Sequence, residues 1–161
     1  MTKIISLLLM VFSFNAFAEE SKNIAEIKLK TLDNNVVSLE QYKGKNVYMK
    51  MWASWCPICL AGLAEIDDLI SAPNKDFTII TVVSPDQKGE KSTEKFIEWY
   101  KGLDYKNITV LLDEQGELLK IAKVRGYPSN IFLDDKLNII KTLPGHLTKK
   151  QIEENITLIN K

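Results

Sequence analysis

VYMKMWASWCPICLAGL, residues 47–63, is the stretch on which the reading of this chain turns. It opens as a run of β-formers and apolar residues, Val47 to Trp52, in which Lys50 alone is charged. Such a run suits a strand covered on both faces of a sheet rather than one half exposed to water. Ala53-Ser54-Trp55 then lead into Cys56-Pro57-Ile58-Cys59, and apolar residues continue at helical spacing through Leu60, Leu63, Ile66, Leu69 and Ile70. Pro57 fits the first helical position, where its missing N–H costs nothing. Cys56 is then the N-cap, its sulfur facing the free N–H groups of Ile58 and Cys59, and these donors together with the helix dipole favour thiolate over thiol. Cys59 stands one turn on and on the same face, so its sulfur can reach that of Cys56. The spacing predicts a dithiol that opens and closes, with Cys56 exposed and Cys59 the more buried partner.

Counting argues against the plainer uses of CxxC. A structural zinc site needs four ligands, and the chain offers two Cys and one distant histidine, His146. A purely structural disulfide closing so short a loop would remove little chain entropy. A strand–CxxC–helix context is the one that redox chemistry calls for.

Outward from this stretch, Met1 to Ala18 reads as a targeting segment. Lys3 supplies a short positive region, Ile4 to Phe14 an apolar one, and Ala16-Phe17-Ala18 a cleavage signal. The apolar part is short for a bilayer span, and no Cys follows the cleavage site to accept a lipid. Residues 19–161 are then expected to form one domain in an oxidising compartment, where two Cys sit as a disulfide unless something keeps them reduced. The whole chain balances 21 Lys and Arg against 21 Asp and Glu, and loss of Lys3 moves it one charge to the negative side. Nucleic acid and anionic lipid are poor partners for such a surface.

The remaining pattern is α/β. Ala25 to Leu32 alternates as a half-exposed strand, Asp33-Asn34-Asn35 turns, and Val36 to Leu39 returns, an antiparallel hairpin ahead of the main sheet. The helix after Cys56 is expected to run to about Ser71, where Ala72-Pro73-Asn74 stops it. Phe77 to Val83 is a second doubly buried strand. Asp86 to Ser92 is a polar loop, and Thr93 is read as the cap of a helix carrying Phe96, Ile97, Trp99, Tyr100 and Leu103. Ile108 to Leu112 is a short strand and Leu118 to Val124 a short helix. Asn130 to Leu133 and Ile139 to Leu143 form a hairpin about Asp134 to Asn138, and Lys149 to Ile159 closes as a helix. Together these give a mixed central sheet flanked by helices.

With strand, CxxC and the lone Tyr127-Pro128 in place, the chain resembles the thioredoxin superfamily. WASWCPIC and the extra N-terminal β-hairpin are similar to the exported TlpA/ResA-like branch. The stretch ITVVSPDQKGEKSTEKFIEWYKGLDY, with GYPSNIFLD after it, more closely resembles the thioredoxin-like N-terminal domain of fused periplasmic methionine sulfoxide reductases. The resemblance implies a thioredoxin-like fold over Ile24 to Ile159, with Cys56 the attacking thiol and Cys59 the resolving one. It implies that Trp52 and Trp55 pack around the active-site turn beside Pro57. Pro128 would be a cis-proline lying against the disulfide, with the Tyr127 backbone turned so that an incoming chain could pair with it as a strand. No cofactor is implied beyond the two thiols.

Two positions depart from the family pattern. Thioredoxins often keep a buried acid six residues before the first Cys, and here that residue is Lys50. Either its stem lies along the sheet and its amine reaches solvent, or it is a buried candidate proton relay to Cys59. TlpA-like proteins commonly carry a Glu three residues after the second Cys, where this chain has Gly62, a residue that weakens a helix by about 1 kcal/mol relative to Ala. His146 has no evident partner and reads as a surface residue. The implied function is a periplasmic thiol:disulfide oxidoreductase acting as a reductant. Its electrons would come from a membrane donor of the DsbD or CcdA type and pass to methionine sulfoxide reductase or apocytochrome c. A DsbA-like oxidant and a non-catalytic CxxC module that binds metal or a partner are the competing readings.

Overall fold

The computed structural model describes residues 22–73 and 75–159, so the targeting segment read over Met1 to Ala18 lies outside the described residues. Seven strands form one mixed sheet in the order β2-β1-β5-β4-β3-β6-β7. At its centre β3 (Val47–Met51) is buried at every position, as its unbroken apolar run requires. It pairs in parallel with β4 (Thr78–Val83) and antiparallel with β6 (Ser129–Leu133). Beyond β4 lies β5 (Val110–Leu112), again parallel, and beyond β6 lies β7 (Ile139–Pro144), antiparallel.

The N-terminal hairpin is present but shorter than expected. Strand β1 (Lys28–Thr31) pairs with β2 (Val36–Ser38) around a turn in which Asn34 is left-handed, with φ 62°. Ile24, Ala25 and Ile27 are buried against the core without entering the ladder, which is why the strand begins at Lys28. The hairpin joins the main sheet through β1, which pairs antiparallel with β5, Lys30 opposite Leu112.

The helix after Cys56 is two helices. Helix α1 (Pro57–Ala61) ends at Gly62 and α2 (Leu63–Ser71) starts there. Downstream, α3 (Thr93–Tyr100) has Ser92 rather than Thr93 at its N-cap position, without a side-chain cap bond, and the Thr93 hydroxyl donates to Glu114 Oε1 at 2.6 Å. The fourth helix, α4 (Glu117–Ile121), has Asp113 as its side-chain cap, one carboxylate oxygen taking the Glu117 N–H at 2.9 Å and the other that of Leu119 at 3.2 Å. The last helix, α5 (Lys149–Ile159), has the predicted bounds.

Side chains of β3 alternate between two cores. Val47, Met49 and Met51 join the core that holds Leu118, Leu119 and Ala122 of α4. Tyr48 and Trp52 join the other, with Cys59, Leu63, Phe96, Tyr100 and Ile152. Lys50, between Tyr48 and Trp52 in the strand, therefore belongs to the face that carries the CxxC helix. Under that helix Trp52 meets Phe96, Tyr100 and Trp99 at ring distances of 5.7, 6.2 and 6.3 Å. Aromatic pairs of this kind contribute about 0.5–1.5 kcal/mol each beyond their burial, and they form a firm floor for the turn above.

Candidate active site

Cys56 and Cys59 are joined as a disulfide with Cα atoms 5.2 Å apart. Cys56 is the N-cap of α1 and Pro57 its first residue, as the spacing predicts. One donor faces the sulfur: the Cys59 N–H, at 3.3 Å from Cys56 Sγ. The expected second contact, from Ile58, is not made. Cys59 is fully buried, but Cys56, expected to be exposed, is 3% exposed. Its sulfur is turned back toward Cys59 by the bond, while Trp55 and Ile58 carry the surface on either side, 50% and 54% exposed.

The second half of the site arrives from β6. Met51 pairs with Ser129, so Pro128 follows directly at the C-terminal end of β3, where the CxxC turn begins. The Tyr127–Pro128 bond is cis, as the resemblance implies. The Tyr127 ring meets Trp55 edge-on at 6.0 Å, which ties the proline loop to the CxxC turn. The Trp55–Tyr127 contact thus joins the segment that carries Pro57 to the one that carries Pro128.

A residue the sequence reading left in a solvated loop holds this turn in place. Glu90 is buried, and its carboxylate takes the Ser54 backbone N–H at 2.5 Å and the Ser54 hydroxyl at 2.6 Å. Lys91 completes the clamp, its amine donating to Ser54 Oγ at 2.6 Å while lying over the Trp99 ring. The same loop flanks Trp55, whose Nε1 lies 3.8 Å from where a Cβ on Gly89 would stand. The contact spans 36 residues, so nothing local in Glu90's surroundings marked it.

Lys50 does not reach solvent. It is 1% exposed, and burial pushes its pKa down to about 8 against the opposing attraction of Glu65. Its Nζ lies 2.8 Å from the point a Gly62 Cβ would occupy, and His146 Nδ1 lies 3.0 Å from that same point. His146 is accordingly no isolated surface residue. Its Nε2 is 3.3 Å from Glu65 Oε2, and Nδ1 is buried without a hydrogen-bond partner among the described residues. The legible signal was Gly62 itself: a glycine inside an apolar helical pattern usually marks a close approach by something else.

A dithiol of this geometry exchanges two electrons. A disulfide of this kind can be opened by an external thiolate and re-formed by exchange with a foreign disulfide. The comparisons agree with that chemistry. The Redoxin family model matches residues 18–156. An uncharacterized protein of Haemophilus influenzae is 64% identical over 94% of this chain and 96% of its own length. Thiol-disulfide oxidoreductase ResA of Bacillus cereus is 25% identical over 92% of this chain and 83% of its own. Among solved structures, the exposed lipoprotein thioredoxin of Streptococcus pneumoniae aligns with a TM-score of 0.79 at 45% identity, covering 83% of this chain and 99% of that one. This chain belongs to the Redoxin family and is a ResA-like thiol:disulfide oxidoreductase of the thioredoxin superfamily.

Proposed function

We propose that the protein works as an exported reductant in the periplasm. The Cys56 thiolate attacks a client disulfide, Cys59 resolves the mixed disulfide, and a membrane donor of the DsbD or CcdA type returns the pair to the dithiol. The clients that suit the resemblance are oxidised methionine sulfoxide reductase and apocytochrome c. The observation that supports exchange is the Cys56–Cys59 disulfide at the start of α1, where the Cys59 N–H lies 3.3 Å from Cys56 Sγ. The reducing direction is drawn from the likeness to the ResA-like branch, and the potential decides it.

Lys50 serves in this reading as the group that takes the proton of Cys59. It sits on the same sheet face, beside Gly62, and Gly62 lies one helical turn from Cys59.

Equilibration against glutathione or dithiothreitol buffers tests the direction, with a potential expected nearer to about −270 mV than to about −120 mV. In parallel a Cys59→Ser variant should retain clients as mixed disulfides through Cys56, identifiable by mass spectrometry. A strongly oxidising potential, with newly secreted thiol proteins in the trap, would turn the reading to a DsbA-like oxidant.

A further inference from the structure

The space beside Gly62 is filled by two nitrogen groups from distant parts of the chain. Lys50 Nζ enters it from β3 and His146 Nδ1 from the loop between β7 and α5, each close enough that a single added carbon would touch both. The histidine spans a boundary. Nδ1 is buried and has no hydrogen-bond partner among the described residues, whereas Nε2 faces Glu65 and the side chain is 30% exposed. Glu65 is anchored in turn by the Lys149 backbone N–H, 3.0 Å from Oε1. Glu65 from α2 is the charged group that acts on both Lys50 and His146, and it also acts on Tyr48 of β3. The β6 neighbour opposite Lys50 is Asn130, neutral and already bonded to Tyr48 and to the Leu143 and Gly145 carbonyls. A neutral imidazole in this place has one nitrogen for the buried amine and one for the water-facing carboxylate.

We infer that His146 is a positioning residue for the resolving thiol, exchanging the proton that Lys50 takes from Cys59 with solvent beside Glu65, through the gap that Gly62 leaves. The inference rests on the reading of Lys50 as the acceptor for Cys59. The step balances as follows. Cys59 Sγ bonds to Cys56 Sγ, the bond from Cys56 to the client breaks, and the client departs as thiolate. The Cys59 proton passes to the neutral Lys50 amine, which becomes ammonium. The ammonium then gives a proton to His146 Nδ1 as Nε2 releases its own toward Glu65 and water. In the return reaction the same path runs backward, protonating Cys59 as it leaves the disulfide.

Single-turnover reaction of the reduced protein with 5,5′-dithiobis(2-nitrobenzoate) separates the two thiols. The first thionitrobenzoate released reports attack by Cys56 and the second reports resolution by Cys59. His146→Gln should slow the second phase about tenfold, less than the hundredfold or more of a proton acceptor in direct contact. The pH profile of the second phase should change with it, and the first phase should be unchanged. Gly62→Ala, which fills the gap, should act in the same direction. If Lys50→Met leaves the second phase as it was, the reading of Lys50 fails. If Lys50→Met slows it and His146→Gln matches the parent at every pH, only the role of His146 fails. Should His146→Gln not fold, the NMR titration of the His146 imidazole decides: its midpoint should move in Lys50→Met, and an unmoved midpoint overturns the coupling.

Discussion

Glu90 holds Ser54 by both oxygens of a buried carboxylate, across 36 residues of chain, two residues before the reactive cysteine. The β4–α3 loop is thereby fastened to the turn that presents the disulfide. A carboxylate in that position stays buried because each oxygen has a donor: the Lys91 N–H adds a further bond to Oε1 at 2.7 Å.

Loss of that clamp should be felt in stability before chemistry. Glu90→Ala leaves the Ser54 N–H, the Ser54 hydroxyl and the Lys91 backbone N–H without their shared acceptor, and removal of one side of a buried charged network costs on the order of 3 kcal/mol. Urea unfolding of the oxidised protein should show the midpoint falling with little change in slope. A midpoint equal to that of the parent would mean the clamp contributes nothing. Glu90→Gln keeps an acceptor for the backbone N–H, so a smaller loss, about half as large, is expected.

Lys50 imposes a cost on the fold that depends on pH with a definite sign. Its pKa lies near 8 in the folded protein against the ordinary 10.5. Between those values the unfolded chain binds more protons, so stability rises with pH across that window, and the whole penalty stands below about 8. A depression of this size corresponds to about 3 kcal/mol. Lys50→Met, close in volume and uncharged, should raise the unfolding free energy at pH 7 by about 1–3 kcal/mol and flatten its rise between pH 8 and 10.5. Chemical denaturation at a series of pH values reads both, and an unaltered pH slope would contradict the buried amine. A residue that stabilises by its removal is retained for something other than stability.

Trp55 and Ile58 present apolar surface beside a nearly buried Cys56. Ile58→Ala should change stability by less than about 0.5 kcal/mol, and Trp55→Ala by about 1 kcal/mol through its lost contact with Tyr127. Exchange with a small disulfide such as oxidised glutathione should be little altered in either. Exchange with a disulfide-bonded protein should slow about tenfold, because exposed aromatic and aliphatic anchors bind a partner chain and not a small thiol. Equal slowing with both substrates would place these residues in the chemistry rather than in recognition.

The chemistry was legible in a short run of residues because its causes are local. An apolar run makes a buried strand, Pro57 starts a helix, and three-residue spacing puts two sulfurs on one face. Resemblance supplied the cis Tyr127–Pro128 bond and the role of the loop around it. Helix and strand order followed from periodicity, but the break at Gly62 that divides the helix after Cys56, several element ends and the α3 cap did not. Thr93, read as a cap, instead donates its hydroxyl to Glu114, 21 residues away, and the N-cap position falls to Ser92.

What remained hidden depends on contacts between distant parts of the chain. Lys50 in isolation is as compatible with an amine reaching solvent as with a buried one; α2 and α5 closing over that face of β3 made it buried. His146 and Glu65 are ordinary polar residues until the loop after β7 folds back on α2 and sets them 3.3 Å apart. Glu90 reads as one charge among several until β4 returns its loop to Ser54. By itself the sequence determined the thiol pair, its helix and the thioredoxin-like order of elements, since these rest on local sterics and hydrophobic period. Tertiary structure alone decided which charges are taken out of water, because desolvation is a property of everything packed around a group and of nothing in the residue's own neighbourhood in the chain.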